Sequence, residues 1–242
     1  PAILDLRPLI DADAAFDLDD YPPALLEPFQ FKGGVYGLPY MVTFRVLVYN
    51  ETMFDDANLA YPDIQWTLDD FLSTVQQLTT NDGKQYGFAS VRSMKSDLVF
   101  FLDQFGASAV KQSSDGPQPN FTDPKVVQAI QFYVDLLLNY SPHRRFWGYA
   151  QTGVPNNGAQ LALEGRIGMW LNFGTLMSSV YNNAGINTRT APPPLGNKGV
   201  NTHDVEQNGL YIAANTQEPE ACWTWLKYLS SDPTALQGMS PA

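Results

Sequence analysis

Side chains able to do covalent chemistry are sparse in this sequence and poorly spaced for it. Histidine occurs only at His143 and His203, so a multi-histidine metal site is excluded and both read as loop residues. Cys222 is the single cysteine, which rules out an internal disulfide and a cysteine-based metal site. With Trp225, Leu226 and Leu229 it forms an i, i+3, i+4, i+7 stripe, and the expectation is a plain buried thiol. Asp11, Asp13, Asp17, Asp19 and Asp20 lack the central glycine and closing glutamate of a calcium loop, and read as a solvated loop before a short helix. No phosphate-cradling glycine loop, dinucleotide fingerprint or Gly-x-Ser-x-Gly elbow occurs. Glu164 and Glu206 are the acids to nominate for paired-carboxylate glycoside hydrolysis, against the plainer reading that one ends a helix and the other lines a turn. No catalytic residue, metal ligand or cofactor is assigned.

What the sequence does offer is aromatic rings near planar polar groups. Tyr40, Trp147, Tyr149, Trp170, Phe173 and Tyr211 fall in expected loops and strand ends, with Thr43, Arg92, Asn172, Thr175, Gln207 and Asn208 as polar partners. A sugar has apolar ring faces and a polar rim, so aromatic platforms with amide or guanidinium donors match it physically. The plainer reading of any one of these rings is a core residue. The run from His143 through Arg144, Arg145 and Phe146 to Trp147 reads as a structural or lobe-contact loop in so acidic a chain.

The elements that must position these groups belong to a chain of 242 residues, 44% hydrophobic and 16% charged, a globular composition with room for one large or two small domains. A formal net charge of −11 argues against a nucleic-acid partner and against peripheral binding to anionic lipid. No apolar run is long enough to insert into a bilayer.

The run from Phe44 to Tyr49 is apolar at nearly every position and predicts a strand buried on both faces. Thr67 with Asp70 predicts a capped helix whose stripe is Leu68, Phe71, Leu72, Val75 and Leu78. Leu98, Phe101, Leu102 and Phe105 predict a second helix stopped at Gly106, and Asp123-Pro124 opens a third carrying Val127, Ile130, Val134 and Leu137. Further strands are expected from Tyr86, from Ile167 to Leu171, from Thr188 to Ala191 and from Leu210 to Ala213. A short helix is expected from Gly158 to Gly165, and a last one from Pro219 to about Ser230. Residues 106–123 and 139–157 read as long irregular loops, better explained by two lobes with crossovers than by one doubly wound sheet.

Four segments, in order along the chain, resemble the solute-binding proteins of bacterial carbohydrate ABC importers, the group that includes maltose-binding protein. KGGVYGLPYMVTFRVLVYNETMF, from Lys32 to Phe54, is similar to the family's "Gly-Lys-x-Tyr-Gly-x-Pro … Leu-x-Tyr-Asn-Lys-x-x-Phe" segment. Trp66-Thr67-Leu68-Asp69-Asp70-Phe71 is similar to a "Thr-Trp-Asp-Glu-Phe" helix start with the first two residues reversed. Leu163 to Asn172 resembles "Phe-x-x-Gly-Lys-Ala-Ala-Met-x-x-x-Gly". Asn208 to Ile212, followed by Pro219 to Leu226, resembles "Gly-x-x-Ile … Pro-Glu-Ala-Ala-Trp-x-Phe-Ile".

The resemblance implies an α/β, two-lobed periplasmic-binding-protein-like fold of type II with an incomplete first lobe, an internal piece of a longer protein. Residues 1–50 would form part of the first lobe, 51–188 the second, 189–235 a return to the first, and 236–242 the start of a crossover back. It implies non-covalent capture of a small polar solute, a sugar or oligosaccharide first, in an interlobe cleft, and delivery to ABC permease subunits. The place would be periplasmic or extracellular at the cell surface, with lipid anchoring of the full-length protein left open. Ligand contacts are implied at Tyr40, Thr43, Trp170, Asn172, Phe173, Thr175, Gln207 and Asn208. The alternatives are a carbohydrate-active enzyme using Glu164 or Glu206, and a sensory or scaffold module with the same fold.

Overall fold

Local chemistry sets the helix starts where the sequence places them. Thr67 Oγ1 accepts from the Asp70 backbone N–H at 3.2 Å while the Asp70 carboxylate accepts from the Thr67 backbone at 3.0 Å, a reciprocal capping box. Ser93 and Asp123 cap two further helices by accepting from the backbone N–H of Ser96 and of Lys125, the latter helix with proline in its first turn. The computed structural model describes residues 2–142, 158–174, 176–196 and 205–235, with only the main chain for 176–179.

In chain order the elements are α1 (Arg7–Ala12), α2 (Pro23–Leu26), β1 (Gln30–Phe31), β2 (Gly34–Val35), β3 (Leu38–Asn50), α3 (Glu51–Asp56) and α4 (Leu68–Leu78). There follow β4 (Tyr86–Phe88), α5 (Met94–Gln104), β5 (Val110–Ser113), β6 (Gly116–Pro119), α6 (Pro124–Tyr140) and α7 (Gly158–Leu163). The last are β7 (Ile167–Phe173), α8 (Leu176–Asn183), β8 (Thr188–Ala191), β9 (Val205–Leu210) and α9 (Pro219–Ser231). They divide into a smaller unit, 1–43 with 205–242, and a larger one, 44–204.

In the smaller unit β1 and β2 form an antiparallel hairpin whose turn residues Lys32 and Gly33 take φ of 49° and 82°. β9 pairs with β3, and Ile3 bridges Ala213. Leu6, Ile10, Leu26, Val35, Leu38 and Ile212 pack with Trp223 and Leu226 of α9. Asp13 accepts from Trp223 Nε1 at 3.0 Å and pairs with Lys227. That aspartate is a brace on α9 rather than part of a solvated loop.

The larger unit is built on the strand order β4-β7-β3-β8, with β7 parallel to β4 and antiparallel to β3, and β3 antiparallel to β8. Successive side chains of β3 and β7 feed two different cores, as the two-residue period of a strand requires. Leu47, Tyr49, Met169 and Leu171 join Phe71, Val75, Phe88, Phe101 and Tyr133 under α4, α5 and α6. Val48 and Trp170 join Ala162, Ile167 and Tyr181 on the opposite face. Both faces are covered, which is why the sequence of β3 from Val46 reads as a continuous apolar run. A Cβ on Gly87 would lie 2.1 Å from the Val75 carbonyl oxygen, so α4 can approach β4 this closely only because Gly87 has no side chain.

Some expectations shift. The strand expected at Leu210–Ala213 lies at Val205–Leu210 instead, because ladder bonds to β3 need no apolar side chains and the polar run of Gln207 and Asn208 supplies them. The region 106–123 holds the exposed β5–β6 hairpin, turning at Ser114-Asp115 into Gly116 with φ of 99°. In α6 the buried face is Val126, Ala129, Tyr133 and Leu136, and Val127 is 50% exposed. In α9 the buried face is Trp223, Leu226 and Ser230; Cys222 is only partly buried, and Trp225 lies exposed, stacked on Tyr228 at 5.5 Å.

Candidate functional site

In the larger unit β4, β7 and β8 run the same way, so their carboxyl ends share one edge of the sheet with the first residues of β3 in that unit. Open α/β sheets present ligands with their strand ends, and here that edge carries Asn172 and Phe173 from β7 and Phe44 and Arg45 from β3. Arg45 pairs with Phe173 and Val46 with Asn172 across the ladder. Asn172 is buried, and its side-chain oxygen accepts from the Phe173 backbone N–H at 2.9 Å, fixing the amide. Phe173 is half-buried, Phe44 is exposed, and an open groove of about 380 Å³ runs along Phe44, Arg45 and Val46 to Pro192 and Pro193.

Arg45 is the charged residue of the β3 run, and the strand buries it to 3% exposure. Burying a guanidinium without partners is prohibitive, and α5 answers it. Nη1 meets Asp97 Oδ1 at 3.3 Å, and Nη2 donates to Ser96 Oγ at 2.7 Å. Phe173 and Phe100 flank the cation at 4.4 and 5.4 Å from their ring centroids, and Arg92 also lies over Phe173, at 5.3 Å. Burial pushes the Asp97 carboxyl up to about 6 against the opposing pull of Ser90 and Arg45. Tyr133, packed nearby on α6, is driven above the ordinary phenol range by burial first and by the Asp97 charge second.

The residues implied by the resemblance are distributed over both units. Tyr40 and Thr43 stand on β3, half-buried, with Thr43 Oγ1 enclosed and without a hydrogen-bond partner among the described residues. Gln207 and Asn208, also half-buried, stand on β9, the strand that pairs with β3. Asn172 and Phe173 lie at the strand-end edge of the larger unit. Trp170, on the same strand, is fully buried with its ring 4.8 Å from that of Tyr181, so it acts as core. Thr175 lies outside the described residues, as do His143 to Trp147, Tyr149 and His203. Arg45 and Asp97 lie behind this edge, and an arginine inside a buried apolar strand is itself the signal that a partner must be supplied elsewhere.

The nominated acids do not have the setting of a catalytic pair. Glu164 is exposed, and hydrogen bonds from Gln160 and Arg166 hold its carboxyl below the ordinary range, the wrong direction for a general acid. Glu206 is half-buried on β9, in the other unit. Among the described residues no cluster of His, Cys, Asp and Glu could hold a metal ion, and no helix is long and apolar enough to cross a membrane.

Comparison with known proteins places this geometry. A maltotriose-binding protein of Pyrococcus abyssi is 22% identical over 92% of this chain and 46% of its own length. An ABC substrate-binding protein from Listeria monocytogenes, solved with cycloalternan, superposes with a TM-score of 0.82 at 19% identity, over 97% of this chain and 58% of that one. A solute-binding protein from Agrobacterium radiobacter K84 in complex with ribitol gives 0.75 at 25% identity, over 98% and 59%. The chain thus spans about half the length of the curated relatives it matches. The fold is that of two-lobed periplasmic solute-binding proteins, binding proteins rather than enzymes. The model of the bacterial extracellular solute-binding protein family matches residues 2–235, and the chain belongs to that family.

Proposed function

We propose that this protein serves a bacterial ABC importer by capturing a sugar or polyol non-covalently, outside the cytoplasmic membrane, and passing it to permease subunits. The half-exposed ring of Phe173 at the strand-end edge carries the reading within the family, with the buried amide of Asn172 on the opposite face of the same strand fixing the backbone at that point. A partly exposed aromatic face suits the apolar face of a sugar. Tyr40, Thr43, Gln207 and Asn208 are proposed as the contacts supplied by the smaller unit. Thr43 supports this with a hydroxyl that has no partner among the described residues, since an enclosed polar atom left unpaired costs stability unless something else satisfies it. Trp170 is proposed to contribute through packing alone. Maltose-type relatives and the ribitol complex motivate testing both oligosaccharides and linear polyols.

Isothermal titration calorimetry with maltose, maltotriose, ribitol and mannitol tests the proposal. Saturable binding lost in Phe173→Ala supports it. Binding that survives substitution of Asn172 and Phe173 together places the ligand elsewhere and refutes the site.

A further inference from the structure

We propose that Asp97 is a positioning residue of the solute site: by anchoring the buried Arg45 guanidinium, it fixes the ring of Phe173 in the plane a ligand meets. The inference rests on the reading of Phe173 as a ligand platform. Asp97 is 2% exposed and Arg45 3%, so neither can serve as a freely accessible ligand contact, and both act through what they hold.

The chain of contacts is short. Phe173 is the last residue of β7, followed by Gly174 at φ of 68°, and Arg92 lies over its ring at 5.3 Å. Its cross-strand partner is Arg45, whose guanidinium lies over the ring at 4.4 Å. That guanidinium is held in turn by Asp97 and Ser96, successive residues in the first turn of α5. Removing the carboxylate takes away the counter-charge that holds the cation in place and weakens its hold against the pull of water. The burial that raises the Asp97 carboxyl supports a functional reading, because a neutral side chain of the same shape would fill the space without the desolvation cost. Among the described residues, Arg45 from β3 and Tyr133 from α6 are the ionisable groups facing Asp97. A guanidinium stays charged, and the Tyr133 phenol is raised. Asp97 is therefore the group of this cluster that titrates between pH 5 and 7.5.

Two measurements on the full chain test the inference. In the ligand-free protein, side-chain ¹⁵N NMR of arginine follows Arg45 from pH 5 to 8. The expected result is a ring-shifted Arg45 signal that titrates in wild type and stays unshifted at every pH in Asp97→Asn. An Arg45 signal indifferent to both pH and the substitution overturns the proposal. Calorimetry with maltotriose and ribitol should then show wild-type affinity about tenfold weaker at pH 5 than at pH 7.5. Asp97→Asn should show the weaker value at both pH values, with no lower urea midpoint. Equal affinity in the two proteins also overturns it. If wild type binds neither probe, the reading of Phe173 as a sugar platform fails, and the NMR titration still decides whether Asp97 positions Arg45.

Discussion

Replacing Asp97 by Asn should make the protein relatively more stable as pH rises, which is unusual for breaking an ion pair. The sign follows from linkage. Burial raises the Asp97 carboxyl from 3.8 to about 6 in the folded protein, so between those values the folded state holds a proton that the unfolded state has released. Wild-type stability from this group is therefore complete below about pH 4 and falls as pH rises to about 6. A displacement of roughly two units corresponds to about 3 kcal/mol at 1.36 kcal/mol per unit. Asn is neutral, close in shape, and free of this term. Urea unfolding of both proteins at pH 4, 5, 6 and 7.5 should show the difference moving by about 3 kcal/mol in favour of Asn across that range. A difference that is flat, or that moves toward wild type as pH rises, refutes the reasoning. It would mean that the Coulombic gain from Arg45 outweighs the cost of burying the carboxylate.

Other expectations are direct. Gly87→Ala forces a Cβ into the Val75 carbonyl 2.1 Å away and should cost about 3 kcal/mol in urea unfolding, since backbone cannot yield as a side-chain tip would. Thr67→Ala removes the capping box of α4 and should cost about 1 kcal/mol by the same assay. Phe173→Ala should weaken sugar binding about tenfold, or about 1.4 kcal/mol, by calorimetry with little loss of stability, because the ring is half exposed. Trp170→Phe should do the opposite, lowering the urea midpoint and leaving affinity unchanged.

Periodicity and capping made much of the larger unit legible. Of the expected stripe of α4, Leu68, Phe71, Val75 and Leu78 are buried and Leu72 is partly so, because one face of that helix meets a core rich in aromatic side chains. Strand β8 spans Thr188–Ala191, the range its residues predict. In α6 and α9 the composition fits more than one apolar stripe, and local spacing cannot tell which one tertiary contacts select. Trp223, two residues before Trp225, is buried because its indole N–H finds Asp13, more than two hundred residues away in sequence. Only the folded chain brings them together.

The strand-end edge was legible in outline for the same reason that the cluster behind it was not. Asn172 and Phe173 close an apolar strand, and at its end the Phe173 ring reaches solvent while Asn172 stays buried. The cluster behind them links Arg45 on β3, Asp97 on α5, Tyr133 on α6 and Phe173 on β7, elements separated by dozens of residues. A lone arginine in an apolar strand announces that it needs a counter-charge but does not say which of the chain's acids supplies it. Packing decides, since α5 lies on the face where Arg45 points and presents Asp97 from its first turn, next to Ser96. If that placement were only a way to neutralise a buried cation, a neutral partner would cost the Phe173 edge nothing beyond a change in stability. If it also orients the ring, affinity must fall with the carboxylate while the urea midpoint at pH 7.5 does not fall. The two possibilities separate on one substitution measured in two assays.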